Sequence, residues 1–383
     1  MKDKLSDIAL QLKSSATLEI NSKAKELKNK GFRVINFSVG EPDFDTPIPI
    51  KEEAISAIRE NFTKYTEAGG TVELREAICE KLSKENSLSY NPDQIVVSNG
   101  AKHSLFNIML AILNPDDEII IPAPYWVSYP AMVKIAGGKP VFCRWNEKFK
   151  IDTEHLKSLI NERTKGIILN SPCNPTGVVY NRKELEEIAE IILENNILCI
   201  SDEIYERIVY DVKHISIASI EEEVKRRTIL VNGVSKTFAM TGWRVGYIAA
   251  DLEIAKAIKK IQSQTTSCPS SISQKAALSA IKKYSDVSKI MVEEFRRRRD
   301  YILKNLSEKI SYPKPEGAFY IFLRMGNSDS EKLARRLLEE KYVAVVPGKD
   351  FGAESFLRIS FATDIEDIKE GIKRINEFVR ENL

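Results

Sequence analysis

Lysine becomes a nucleophile when its amine is held neutral among apolar or cationic neighbours. The segment NGVSKTFAMTGWRVGY offers such a place. Lys236 follows the apolar run ILVNGVS and lies between Ser235 and Thr237, with Arg244 eight residues on. Cationic and hydrogen-bonding groups are thereby gathered where they could surround one anionic ligand. A single lysine is most often a surface residue, so Lys236 needs company. In SNGAKHSLF a strand ending at Ser98 meets Asn99-Gly100, and a helix opens with Ala101 and Lys102. Free N–H groups at a helix N-terminus, approached closely because Gly100 has no side chain, favour a dianionic phosphate. Many strand–glycine–helix junctions bind nothing, however. In SPCNPTG, Asn174 follows the run KGIILN and so sits at a strand's carboxyl end, where open α/β sheets bind ligands; Asn before Pro also simply starts turns. The run LCISDEIY delivers Asp202 to another strand end, with Tyr205 three residues on. A carboxylate buried there needs a partner, and a protonated ring nitrogen is one.

These residues need a scaffold, and the chain's periodicity describes one. From about Pro47 to Cys268 short apolar runs alternate with helical patterns, the signature of a layered α/β domain with a mostly parallel sheet. The expected strands are 94–100, 117–124, 140–145, 165–172, 198–205, 227–235 and 243–250, seven in one sheet. Beyond them come long helices at 274–284 and 287–307, then the strands FYIFLRM, YVAVVPG and SFLRISFA, and a last helix from Asp364. This predicts a large domain over 47–274 and a smaller α+β domain built from 275–383 with residues 1–46, whose helix at about 17–30 and extended piece VINFSVGEPDF are too little to fold alone.

Composition narrows the function classes. The 57 basic and 55 acidic residues leave a net charge of +2, without the electrostatic footprint of a dedicated nucleic-acid binder. The run Arg296-Arg297-Arg298-Arg299 after Glu293-Glu294 reads as a solvated helix face. Five widely spaced cysteines, Cys79, Cys143, Cys173, Cys199 and Cys268, argue for reduced core thiols rather than a disulfide framework or zinc cluster. His103, His155 and His214 assemble neither a triad nor a metal site from their sequence contexts. Without an export signal or membrane span, the expected location is the cytoplasm.

Taken in order, SVGEPDF, KYTEAGG, SNGAKHSLF, PYWVSYP, SPCNPTG, SDEIY, SKTFAMTGWRVGY and SFLRISFA resemble the class I/II aminotransferases of the aspartate aminotransferase type, nearly end to end. The resemblance implies pyridoxal 5'-phosphate as cofactor. Lys236 would carry it covalently and shuttle the substrate proton. Asp202 would pair with the ring nitrogen, Asn174 and Tyr205 would hold the ring oxygen, and Trp126 would lie over the ring. The phosphate would sit on Gly100, Ala101 and Lys102, with Ser235 and Arg244, and with Tyr65 reaching in from a second subunit of a homodimer. Arg358 would take the substrate α-carboxylate, with Gly40 close by. Amino acids and 2-oxo acids are the implied substrates, exchanged in ping-pong order, and neither nucleic acid nor membrane is a partner.

The substrate side chain is a separate question. One branch of the family binds a distal carboxylate with an arginine from the segment shortly after the lysine motif, yet IQSQTTSCPSS has none. Another branch uses a lysine where Lys102 stands, so aspartate and glutamate are the expected favourites, with Thr17 adding a hydroxyl from the N-terminal segment. Carbon–sulfur lyases and aromatic or alanine aminotransferases share much of this framework and remain the alternatives. A non-enzymatic α/β binding protein would leave Lys236 dispensable.

Overall fold

A computed structural model describes residues 4–12, 16–284, 286–326 and 329–382. Its strands are β1 (Ile35–Asn36), β2 (Ile95–Ser98), β3 (Glu118–Pro122), β4 (Lys139–Cys143), β5 (Thr164–Asn170), β6 (Leu198–Asp202), β7 (Thr228–Gly233), β8 (Gly246–Ala249), β9 (Tyr320–Arg324), β10 (Val343–Ala344), β11 (Val346–Pro347) and β12 (Phe356–Ser360). Seven of them form one sheet in the order β2-β8-β7-β6-β5-β3-β4, as the apolar runs predict. Only β8 runs against its neighbours; the other pairings are parallel. Parallel neighbours need crossover connections, and helices supply them, Tyr129–Ile135 between β3 and β4 and Arg182–Glu194 between β5 and β6. Covered on both faces, the strands are apolar almost throughout. All four residues of β2 and all six of β7 are buried.

This order has a direct consequence for the site. β5, β6 and β7 are adjacent and parallel, with Asn170 opposite Asp202 and Asp202 opposite Val231. Their carboxyl ends therefore open side by side, and the segments bearing Asn174, Tyr205 and Lys236 leave the sheet together.

A second, three-stranded antiparallel sheet has the order β11-β12-β9, with Arg358 paired to Phe322 on one side and Val346 on the other. β1 pairs in parallel with β10, so the N-terminal segment is stitched to the C-terminal part of the chain. Phe37, Phe295, Phe319, Phe361 and Phe378 are fully buried in the core between them.

Three expectations change in detail. The helix expected from 274 begins at Ser271, because Ser270 caps it by accepting from the Ser273 N–H at 3.4 Å. The strand expected from 243 begins at Gly246, because Trp243 closes a short 3-10 turn and Arg244 adopts a left-handed φ of 56°. The arginine run is not a uniformly solvated face. Arg298 and Arg299 are buried, the first paired with Asp43 and Glu294 and the second with Asp211 and Asp300. Among the described residues no helix is long and apolar enough to cross a membrane.

Candidate active site

β7 delivers Lys236 to the carboxyl edge of the sheet. The half-buried amine donates to the Gly40 carbonyl oxygen at 2.6 Å. Burial lowers its pKa to about 8; nearby Arg358 and Arg244 reinforce the shift, while Glu41 and Asp202 oppose it. A neutral, nucleophilic amine is thus accessible near neutrality.

At the end of neighbouring β6, Asp202 is only 4% exposed. Its Oδ2 accepts from the Tyr129 hydroxyl at 2.6 Å and its Oδ1 from the Ile204 N–H at 3.3 Å. Both donors are neutral, and burial pushes the carboxyl pKa up to about 6, against those two hydrogen bonds. A cationic N–H brought to this carboxylate would be strongly favoured. The Tyr205 hydroxyl lies 2.8 Å from that of Tyr320. The Asn174 N–H donates to Asn170 Oδ1 at 2.9 Å, and its own Oδ1 accepts from Arg358 Nη1 at 3.1 Å.

The opposite end is built for an anion. The helix Ala101–Ile112 starts at Gly100, whose φ is 86°. A Cβ on Gly100 would strike the Arg244 guanidinium, and one on Gly246 would strike the Ala101 main chain, so both positions require glycine for close approach. The left-handed turn at Arg244 folds its side chain back over this corner, where Nη1 donates to Thr241 O at 2.8 Å and Nη2 to Asn99 O at 3.3 Å. Ser235 and Lys102 complete the lining. Lys102 is exposed, with Nζ 4.9 Å from the Trp126 ring centroid; burial of the amine, then Arg244, lower its pKa.

Arg358 is buried at 3% exposure. Nη2 donates to Ser38 O at 2.8 Å, while Nε has no hydrogen-bond partner among the described residues. Such a guanidinium is a ready seat for a planar carboxylate.

One cavity of about 390 Å³ is lined by Gly40, Ala101, Lys102, Trp126, Asn174, Asp202, Tyr205, Ser235, Lys236, Arg244 and Arg358. The sequence-predicted residues therefore meet, apart from Gly100, which shapes the corner, and Tyr65, which is 89% exposed and outside this lining. Thr17 belongs to the helix Ala16–Asn29, and its side chain lies outside the described residues. Sequence reasoning missed Tyr129, Tyr320, Asn170 and Thr241, which also line the cavity. Tyr129 was legible as the second tyrosine of PYWVSYP, and Tyr320 looked like an ordinary core residue of FYIFLRM. Behind Asp202, Glu203, Glu206 and His214 bring their ligand atoms within 4.8 Å of one another. Ser201, Ser216 and His214 hold Glu203, while Lys81 and Asn86 hold Glu206.

An amine nucleophile, a buried carboxylate and an anion corner in one cavity suit a pyridoxal-phosphate enzyme of the aminotransferase fold, and the donor set fits that cofactor at each of its ends. Residues 33–375 match the family described as aminotransferase class I and II, and the chain belongs to it. It is 46% identical to an aspartate aminotransferase of Bacillus sp. strain YM-2 over 99% of this chain and 100% of that protein. It is 48% identical to a probable aspartate/prephenate aminotransferase of Aquifex aeolicus, covering 100% of both. Among solved structures, the Thermus thermophilus aspartate aminotransferase with maleate superposes with a TM-score of 0.94 at 41% identity, over 97% of this chain and 99% of that one. The chain is a pyridoxal-phosphate-dependent transaminase.

Proposed function

We propose that this transaminase moves amino groups between aspartate or glutamate and 2-oxo acids, in a homodimer whose subunits share each site. The observation that carries the reading is the meeting of Lys236, Asp202 and Arg358 in one cavity of about 390 Å³, a volume suited to a small ligand. Bound pyridoxal phosphate supplies an electron-poor ring that takes up the electron pair released at the substrate α-carbon.

The chain's residues do the rest. Arg358 grips the α-carboxylate with its planar fork, and Asn174 holds that fork at 3.1 Å. Gly40 lets the N-terminal segment lie against the substrate. Lys236 would hold the cofactor covalently, and its amine, once free, would move the substrate α-proton, so it would serve as both anchor and general acid–base. Asp202 would keep the ring nitrogen protonated, and Tyr205 and Asn174 would donate to the ring oxygen. Gly100, Ala101, Lys102, Ser235 and Arg244 would hold the phosphate, and Trp126 would lie beside the ring. Release of the 2-oxo acid before the second substrate enters makes the kinetics ping-pong.

Aspartate preference rests on Lys102, whose ammonium stands over Trp126 at the cavity, and on the relatives' described activities. The shared-site homodimer is supported by exposed apolar surface on the helix that precedes Tyr65 in the chain. On the helix Ile48–Arg59, Ile48 is 67% and Ile58 52% exposed, an apolar face that a partner would cover. We take residues 1–46 with 275–383 as the part that closes against 47–274. Adding aspartate, alanine or phenylalanine to the yellow holoenzyme and following its absorbance tests the reading. Aspartate should convert the cofactor to its amine form fastest, and failure of all three to convert it would overturn the assignment.

A further inference from the structure

Tyr320 has no part in the roles assigned above, yet it touches three of their bearers. It lies on β9 opposite Ser360, next but one to Arg358 on β12. Its hydroxyl is 2.8 Å from that of Tyr205. The Arg358 guanidinium stands 4.5 Å from its ring centroid, and a Cβ on Gly40 would come within 3.0 Å of its hydroxyl. The residue is 1% exposed.

Counting protons orients this contact. A tyrosine hydroxyl has one proton and two lone pairs. When Tyr205 donates its proton to the ring oxygen of the cofactor, the only proton left between the two hydroxyls is that of Tyr320, which must point at Tyr205. We propose that Tyr320 is a positioning residue of the reaction: its hydroxyl donates to Tyr205 and so aims the Tyr205 proton at the ring oxygen, while its ring is the platform on which Arg358 meets the substrate carboxylate. This inference rests on the roles proposed for Tyr205 and Arg358. Hydrogen bonds in series strengthen one another, so Tyr205 is a better donor with Tyr320 behind it. The charged groups facing the pair are Arg358, Asp202 and Glu41, with Lys236 within 6.0 Å of the Tyr205 ring centroid. Tyr320→Phe changes none of them.

The experiment is a spectrophotometric pH titration of the holoenzyme, reading the midpoint at which the Lys236-linked cofactor changes colour. A donor to the ionised ring oxygen weakens that oxygen's hold on the linkage proton, so losing the donor raises the midpoint. Tyr320→Phe should raise it by about half to one pH unit, the size of one neutral hydrogen bond, and Tyr205→Phe should raise it further. The double variant should match Tyr205→Phe alone, since Tyr320 acts through Tyr205. Tyr320→Leu, which also removes the ring beneath Arg358, should add a KM increase for amino acids that Tyr320→Phe lacks. An unmoved midpoint in Tyr320→Phe, or additive shifts in the double variant, would overturn the relay while sparing the role of Tyr205. An unmoved midpoint in Tyr205→Phe would overturn both.

Discussion

Lys236 Nζ donates to the carbonyl oxygen of Gly40 at 2.6 Å, across 196 positions of sequence. The contact ties the N-terminal segment to the nucleophile in an environment that brings the amine pKa down to about 8. Only the neutral amine attacks the cofactor's carbonyl. In cofactor-free protein the rate of covalent attachment should therefore climb with pH through about 8 and level off above it. Stopped-flow absorbance measures this, and a rate that falls as pH rises contradicts it. Lys236→Ala should form no covalent linkage and lose turnover.

Asp202 makes the opposite kind of statement. Its carboxyl pKa in the folded, cofactor-free protein is about 6, above the ordinary value of 3.8. The folded state therefore holds this proton more tightly than the unfolded one, and stability falls as pH rises from about 4 to about 6. The loss at neutrality is on the order of 3 kcal/mol. Thermal unfolding of the cofactor-free protein should show that decline, and Asp202→Asn should flatten it. The same substitution should lower kcat by roughly two to three orders of magnitude, because the ring nitrogen loses its anionic partner. A variant with the wild-type pH slope would place the titration elsewhere.

Lys102 is the proposed discriminator between substrates. Lys102→Ala should reduce kcat/KM for aspartate by on the order of 2 kcal/mol, the scale of one charge-assisted contact, with alanine and phenylalanine nearly unchanged. Equal losses for all three would assign Lys102 to phosphate binding or structure instead.

Tyr65 tests the shared site. Mixing Tyr65→Ala with Lys236→Ala protein under conditions of subunit exchange should restore activity above the sum of the two parents, toward about a quarter of wild type for random pairing in a two-fold dimer. No restoration despite exchange, or a fully active monomer in sedimentation, would refute the sharing.

Much of this was legible in the residues themselves. Parallel strands buried on both faces must be apolar runs, so IVVS, EIIIP, GIILN and LCISD announce themselves, and glycines at forced backbone positions such as Gly100 mark the anion corner. The lysine, the aspartate and the second-sheet arginine each follow from a local pattern plus an ordered set of motifs. What a linear pattern cannot contain is which distant side chains share a hydrogen bond. The seven-stranded order sets Asn170 against Asp202, the fold brings the Tyr129 hydroxyl to 2.6 Å from Asp202, and packing of the second sheet against the first pairs Tyr205 with Tyr320. The same holds for Arg298 and Arg299, which read as solvated charges but are buried against Asp43 and Asp211. Periodicity and turn chemistry are short-range properties of a chain. Burial and long-range pairing exist only once the layers have closed, and they decide the protonation of Asp202 and Lys236.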